Sequence, residues 1–396
     1  MTVASTTNTI VKVKFIALFL FVSNIVAAQD LVFARKMLDT LTSSRFWGRG
    51  YTNHGMQKAA LFLTKQLKSY GVSPMDDNTF AQNFGYPVNT FPGKMEVMLN
   101  GMELVPGKDF LVSPDSRGIK AKGKLVQVDS THFVDKEDHI LVVLKDKLTW
   151  SVKPAAADYT IIQLNKKQLK ALPTSIKVNI RNKEIGNFKT ANICGIIKGT
   201  VKPDSVIVFT AHYDHLGGMG DKTFFPGAND NASGVTQVLT MAKYYAGHPQ
   251  PYSIAFILFA GEEAGLLGSK YFTENPLIPL KSIKFLVNLD LEGTGIDGIT
   301  VVNAAIYPNE FNLLKQVNDK GKFMVKVNSR GKAANSDHYL FTEKGVPSFF
   351  VYTTGGIAAY HDIYDISATL PLNEYENLFN LLTKFNDRLM NKKLAE

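Results

Sequence analysis

Three short loops of the sequence carry side chains that commonly bind metal ions. The first contains His212 and Asp214, the second contains Asp230, and the third contains the pair Glu262 and Glu263. Imidazole and carboxylate groups without cysteine are typical ligands of zinc, and manganese or cobalt can take its place. The residue types therefore predict a metal site of nitrogen and oxygen ligands.

Apolar segments of strand type precede most of these groups. In open α/β sheets, binding sites lie outside the carboxyl ends of the strands. We therefore expect four strand ends to converge on one site. The segments and the groups that follow them are 205–209 before His212, 254–259 before Glu262 and Glu263, 283–289 before Asp290, and 347–352 before His361.

Two of these groups also have simpler interpretations. Asp230 directly precedes an apolar-periodic helix, and an aspartate in that place commonly caps the helix N-terminus. Adjacent glutamates repel each other, so a pair such as Glu262 and Glu263 is usually exposed to water unless a cation binds it. The apolar strand before the pair, with Gly261 and Gly265 beside it, favours the cation.

The ligand count favours two ions. Five ligands with one shared carboxylate suit a pair of ions about 3.5–4 Å apart, which can bind a carbonyl and lower the pKa of a bridging water. A carboxylate that is not a ligand would then act as the base for that water.

The motifs resemble those of the co-catalytic zinc aminopeptidases, the family that includes bacterial leucyl aminopeptidase and glutamate carboxypeptidase. The matching segments read HYD at 212–214, GANDNASG at 227–234, EE at 262–263 and LD at 289–290. Together with the final histidine they span about half of the chain, from His212 to His361.

The resemblance implies a role for each matching position. One ion would be bound by His212 and Asp290, and the other by Glu263 and His361. Asp230 would be shared between them, and the peptide bond that follows it would be cis, as in relatives.

The same resemblance implies further roles near the ions. Glu262 would be the general base, and Asp214 the acid that orients His212. Tyr360, which directly precedes the last histidine, is the candidate donor to the oxyanion, with a packed aromatic residue as the alternative. Residues 336–338, Ser-Asp-His, would either support the ligands or cap a helix.

The remaining sequence predicts an exported α/β protein with an insertion. Residues 1–28 have the basic, apolar and small-residue order of a secretory signal peptide, with an N-terminal core helix as the alternative. Its apolar part is too short to span a membrane. Residues 29–90 and 189–396 are expected to form the peptidase domain, with a mostly parallel central sheet flanked by helices. Residues 91–188 are expected to form an inserted β-rich domain, similar in position to the protease-associated domain of larger family members.

Charge and cysteine content limit the partners. The formal charge is +9, but the lysines are spread along the chain, so no nucleic-acid surface is predicted. Cleavage of the signal peptide would leave a periplasmic or extracellular protein without stable membrane insertion. Cys194 is the only cysteine, which excludes an intrachain disulfide.

Three functions are compatible with these observations. The first is a secreted exopeptidase with two zinc ions, most simply an aminopeptidase acting on peptide or protein N-termini, with carboxypeptidase and dipeptidase activity left open. The second is a glutaminyl-cyclase-like acyltransferase with a single zinc ion on the same scaffold. The third is a receptor-like relative without catalysis, which the complete ligand set and Glu262 argue against.

Overall fold

The computed structural model describes residues 31–76 and 78–395, and at residues 392–395 the backbone alone. The predicted signal peptide, residues 1–28, lies outside this range. The helices are α1 at 31–41, α2 at Gly55–Ser69, α3 at Gly234–Gly247, α4 at Leu267–Glu274, α5 at Pro308–Gly321, α6 at His338–Glu343 and α7 at Tyr375–Ala395.

Strands fall into a large sheet and smaller ones. The strands before residue 200 are β1 at Ser73–Pro74, β2 at Ala81–Thr90, β3 at Met95–Leu99, β4 at Met102–Glu103, β5 at Phe110–Val112, β6 at Ile119–Lys124, β7 at Val126–Gln127, β8 at His132–Asp135, β9 at Ile140–Lys145, β10 at Thr160–Asn165, β11 at Ser175–Ile180 and β12 at Lys183–Ile197. Those after it are β13 at Lys202–His212, β14 at Gly217–Met219, β15 at Thr223–Phe225, β16 at Tyr252–Phe259, β17 at Ile283–Leu289, β18 at Gly298–Val302, β19 at Val327–Ser329 and β20 at Ser348–Thr354.

The large sheet has the order β1-β12-β16-β13-β17-β20-β18-β19, and β2 also pairs with β12. Its centre, β16-β13-β17-β20, is parallel, whereas β12 and β18 join that centre in antiparallel orientation. The predicted α/β fold is confirmed, and its parallel pairs are those of the four central strands and the pair of β18 with β19 at the edge. All eight residues of β16 are buried, since neighbouring strands flank it and helices cover the sheet.

The parallel centre brings the predicted site residues to one edge of the sheet. His212 ends β13, and Glu262 and Glu263 follow β16 after a two-residue connection. Asp290 directly follows β17, and His361 comes seven residues after β20. Because the four strands run in the same direction, their carboxyl ends lie side by side.

Helix α7 covers the sheet with one apolar face. The sequence pattern predicts that Leu378, Leu382, Phe385 and Leu389 share this face, and all four are buried in the main core. None of the described helices combines the length and the apolar character that crossing a bilayer requires.

Two smaller sheets lie between Met95 and Ile180. Their strand orders are β5-β10-β9-β8-β7 and β4-β3-β11-β6, and they enclose a separate apolar core. Strands β2 and β12 form a long antiparallel ribbon that leads into this region and out of it. The boundaries 91–188 stay a prediction, since β12 continues without a break past residue 188.

Candidate metal centre

The first group of candidate ligands is formed by His212, Asp230 and Asp290. Nε2 of His212 lies 3.3 Å from Oδ1 of Asp230 and 3.4 Å from Oδ1 of Asp290. All three side chains are buried, and their ligand atoms are close enough together to hold one ion. The structure thus brings together three residues that the sequence places up to 78 positions apart.

Backbone contacts orient His212 for this role. Its Nδ1 lies 3.2 Å from the carbonyl oxygen of Asp214, which can only accept, so Nδ1 donates to it and Nε2 faces the two carboxylates, where it can bind an ion once it has lost its proton. The carboxylate of Asp214 is farther from Nδ1, at 3.8 Å, and it accepts the backbone N–H groups of Glu262 and Glu263. The expected orienting role of Asp214 is therefore carried chiefly by its backbone, and its side chain positions the glutamates.

Glu263, Asp230 and His361 form the second group. Nε2 of His361 lies 3.0 Å from Oδ2 of Asp230 and 3.3 Å from Oε2 of Glu263. Nδ1 of His361 donates to the carbonyl oxygen of Trp150 over 2.9 Å, which again leaves Nε2 free to bind an ion. The two oxygens of Asp230 thus face two different histidines, as expected of a shared ligand.

A second histidine, His215, lies in the same group and was missed by the sequence reasoning. It is fully buried, its Nδ1 lies 2.7 Å from Oε1 of Glu263, and it could form a three-residue cluster with Asp230 and Glu263. We favour His361 as the ligand, because the Nδ1 of His215 is already hydrogen-bonded to the glutamate. The position of His215 in the loop that also carries Asp214 was the signal that could have found it.

The loop that carries Asp230 is held by two further residues. The peptide bond between Asp230 and Asn231 is cis, as the resemblance implies. The carboxylate of Asp365 accepts the backbone N–H groups of Asn229 and Asp230, over 2.8 and 3.0 Å. These contacts, together with burial, give Asp230 a fixed place between the two histidines.

Arg49 is a buried cation beneath the same loop. Its guanidinium donates to the carbonyl oxygens of Tyr213, Leu41, Pro226, Gly227 and Asp230. It thereby joins the loop after β13 to the loop before α3.

Ser336 supports Asp290 from the other side. Its hydroxyl donates to Oδ2 of Asp290 over 3.1 Å and accepts from Nδ2 of Asn288 over 2.8 Å. Neither Ser336 nor Asp337 makes a side-chain cap at the start of α6. Of the two interpretations of residues 336–338, the structure favours ligand support for Ser336.

Glu262 and Tyr360 line the cavity in front of the two groups. Oε2 of Glu262 lies 4.0 Å from Nε2 of His212, and Glu262 belongs to neither three-residue group. Tyr360 is 45% exposed, and its ring stacks on that of His361 with centroids 4.0 Å apart. The cavity has a volume of about 350 Å³ and also contacts Phe350.

The charges of the cluster are unbalanced without a cation. Burial lowers the pKa of His212 and His361, but the carboxylates beside them dominate, so the pKa of His212 is well above its ordinary value and that of His361 is about 11. Burial also raises the pKa of Glu262 well above its usual range, against the opposing charge of His212. The site therefore attracts positive charge, which protons or metal ions can supply.

The residues fit zinc. Bonds of about 2.0–2.1 Å in tetrahedral geometry separate neighbouring ligand atoms by roughly 3.3 Å, close to the distances between the imidazole and carboxylate atoms here. Oδ1 of Asp290 is buried without a hydrogen-bond partner, although buried polar atoms normally have one. A bound ion would satisfy it.

Fold and site together define an α/β protein with a candidate metal site, and comparisons with known proteins show which family it is similar to. The profile of peptidase family M28 matches residues 192–385, a segment that contains every predicted ligand. The similarity to peptidase family M28 thus covers just under half of the chain. It is similar to aminopeptidase YwaD of Bacillus subtilis (29% identity, 48% of this chain) and to a probable leucine aminopeptidase of Arthroderma otae (33% identity, 42% of this chain). These alignments span 41% and 47% of the relatives' lengths.

Solved structures share the fold over most of the chain. An M28 peptidase precursor from Shewanella amazonensis has a TM-score of 0.71 at 14% identity, covering 93% of this chain and 96% of its own. The zinc aminopeptidase BSAP from Bacillus subtilis has a TM-score of 0.67 at 19% identity, covering 89% and 93%. A glutaminyl cyclase from Bacteroides thetaiotaomicron scores 0.52 at 15% identity, covering 89% and 96%. At these identities the similarity shows the fold alone.

Proposed function

We propose that the protein is a metal-dependent exopeptidase with two zinc ions, most simply an aminopeptidase acting on the free N-termini of peptides. One observation carries the proposal. Each carboxylate oxygen of Asp230 faces the Nε2 atom of a different histidine, at 3.3 Å for His212 and 3.0 Å for His361. A single carboxylate between two ligand groups is the arrangement expected of a two-metal site.

In this proposal five residues are ligands of the ions and a sixth is the general base. His212 and Asp290 would hold one ion, Glu263 and His361 the other, and Asp230 both. When bound, the ions supply a water of lowered pKa and polarise the scissile carbonyl. Glu262 remains outside the ligand groups and faces the cavity, so it is the group that accepts a proton from the water and passes it to the leaving amine.

Tyr360 is the candidate donor to the developing oxyanion. It lines the cavity beside His361, and burial together with nearby carboxylates raises the pKa of its hydroxyl above the ordinary value. The hydroxyl therefore keeps its proton at neutral pH and can donate it in a hydrogen bond.

Aminopeptidase activity and export rest on different observations. The similar proteins of Bacillus subtilis and Arthroderma otae are named aminopeptidases, which supports attack at an N-terminus. Export rests on the order of basic, apolar and small residues in segment 1–28. We propose that this segment directs the chain out of the cytoplasm, to the periplasm or beyond.

The test measures zinc content and the direction of cleavage on the same preparation. Zinc per chain is determined after dialysis, and turnover is compared for leucine anilide, N-acetyl-leucine anilide and a C-terminal substrate with a blocked N-terminus. About two zinc ions and cleavage of the free-amine substrate alone are expected. One zinc ion with conversion of glutaminyl peptides to pyroglutamyl peptides would overturn the proposal in favour of an acyltransferase.

A further inference from the structure

The cavity in front of the candidate metal centre is lined by an arginine as well as by carboxylates. Arg330 lies directly after β19 and lines the cavity together with Tyr352 of β20. Among the described residues that line it, Arg330 is the only lysine or arginine. Its backbone is fixed, since its N–H donates to Val301 over 2.9 Å and its carbonyl accepts from Ala305 over 3.4 Å.

Arg330 and Tyr352 together present hydrogen-bond donors. Nη1 of Arg330 donates to the hydroxyl oxygen of Tyr352 over 3.3 Å, which leaves the proton of that hydroxyl free to donate. No carboxylate of the described chain lies within 4.0 Å of the guanidinium. The pair is therefore a cationic group of donors without an anion, in a cavity that Phe350 also lines.

The cavity is small enough to limit what reaches this pair. Its volume of about 350 Å³ is near the lower end of the roughly 300–1,000 Å³ that is typical of small-ligand sites. One or two residues of a peptide fill such a space. Because Arg330 and Tyr352 line the same small cavity as the candidate ligands, part of a substrate bound at the metal centre can contact this pair.

We infer that Arg330 and Tyr352 form a subsite for a substrate carboxylate and so determine specificity. The inference rests on the proposed function, because bound zinc ions offset the carboxylates that otherwise repel an anion. A guanidinium and a hydroxyl donating to one carboxylate is a charge-assisted arrangement, stronger than neutral hydrogen bonds. The carboxylate is carried by an acidic N-terminal side chain or by the free C-terminus of a dipeptide.

Two matched substrate pairs distinguish the two sources. Glutamate anilide is compared with glutamine anilide, and Ala-Ala with Ala-Ala amide, using the zinc-loaded full chain. The wild type is expected to prefer the carboxylate member of one pair by about tenfold in kcat/KM, mainly through KM, after allowance for the exposure of Arg330. The pair that shows the preference identifies the source.

Variants test whether Arg330 and Tyr352 cause the preference for the carboxylate substrate. Arg330→Gln is expected to abolish the preference, Arg330→Lys to retain part of it, and Tyr352→Phe to reduce it. Lys326→Gln removes a positive charge four residues earlier, outside the cavity, and is expected to leave the preference unchanged. The inference would be overturned if the wild type had the same kcat/KM for the carboxylate and the amide substrate in both pairs. It would also be overturned if Arg330→Gln kept the preference of the wild type.

A binding measurement keeps this inference separate from the proposed function. Reduced-amide analogues of Glu-Ala, Gln-Ala, Ala-Ala and Ala-Ala amide, which cannot be hydrolysed, are titrated into the wild type and Arg330→Gln by calorimetry. One possible result is that no substrate is turned over, but a carboxylate analogue binds about tenfold more tightly than its amide, and only when Arg330 is present. The exopeptidase proposal then fails and the subsite stands. If substrates are turned over and the analogues bind alike, the subsite fails alone.

Discussion

His361 and Trp150 are joined by two hydrogen bonds across 211 positions of sequence. Nδ1 of His361 donates to the carbonyl oxygen of Trp150, and the N–H of Trp150 donates to the carbonyl oxygen of His361, both over 2.9 Å. Trp150 is itself fixed, since its indole N–H donates to Val112 over 2.7 Å and its ring stacks on Phe225 at 4.8 Å. A candidate ligand is thus oriented from the segment that connects β9 and β10 in one of the smaller sheets.

Replacing Trp150 is expected to weaken one zinc site selectively. In Trp150→Ala the carbonyl that holds His361 loses its support, so affinity at the Glu263 and His361 site is expected to fall by about 10–100-fold. The affinity at the His212 and Asp290 site is expected to change much less. Competition with a chromophoric chelator measures both.

Two further variants control this experiment. Trp150→Phe keeps most of the ring packing and is expected to lose less affinity, and Tyr159→Ala truncates an aromatic side chain that is 39% exposed. An equal loss at both sites would indicate general destabilisation and contradict the prediction.

Replacing Glu262 by glutamine is expected to separate catalysis from metal binding. The change keeps shape and hydrogen bonding but removes the base, so kcat is expected to fall by about 10²–10⁴-fold. Zinc content is expected to stay at the wild-type value, because Glu262 belongs to neither ligand group. Both quantities are measured on one preparation.

The control is Glu274→Gln, which neutralises an exposed glutamate at the end of α4. Retained turnover in Glu262→Gln, or turnover lost only in proportion to zinc, would show that Glu262 is not the base.

Zinc binding is expected to release protons. In the metal-free protein the neighbouring carboxylates hold the pKa of His212 well above its ordinary value and that of His361 at about 11, so both rings are protonated at pH 7. Ligand histidines must lose their protons, so at least about two protons leave and the apparent affinity rises with pH. Calorimetry in buffers of different ionisation enthalpy counts them.

His248→Gln removes an exposed histidine at the end of α3 and is expected to leave the proton count unchanged. Heats that do not depend on the buffer would contradict the protonated state of the two candidate ligands.

Removing the guanidinium of Arg49 is expected to destabilise the fold strongly. Burial lowers the pKa of Arg49 to about 10, so the group is still charged at neutral pH, and it serves five backbone carbonyls. Arg49→Met leaves these acceptors without a donor, and the free energy of unfolding is expected to fall by about 3–5 kcal/mol. Urea unfolding in the presence of a chelator measures this.

Arg45→Met, a few residues earlier and exposed, is the matched control and is expected to change stability by less than about 0.5 kcal/mol. A loss in Arg49→Met no larger than in this control would show that water replaces the guanidinium.

The sequence alone determined the fold class and the composition of the site. Apolar strand segments that each end in a metal-type side chain are local patterns, and a parallel arrangement sends their carboxyl ends to one edge. This is why His212, Asp290 and the Glu262–Glu263 pair could be placed together before any coordinates. The apolar face of α7 could also be predicted from a local pattern, because the spacing of apolar residues within one segment shows which of them share a helix face.

Only the tertiary structure decided which distant groups hold the site in place. The side chains of Arg49 and Asp365 bind backbone groups of other segments, and Trp150 offers its own backbone carbonyl to His361. Contacts to backbone groups do not require a complementary side chain, so they leave no matching residue in the sequence. The position of Arg330 in the lining of the cavity likewise depends on β19 lying beside β18 at the sheet edge. Local patterns specify elements and residue types, whereas contacts between segments far apart in sequence depend on how those elements pack.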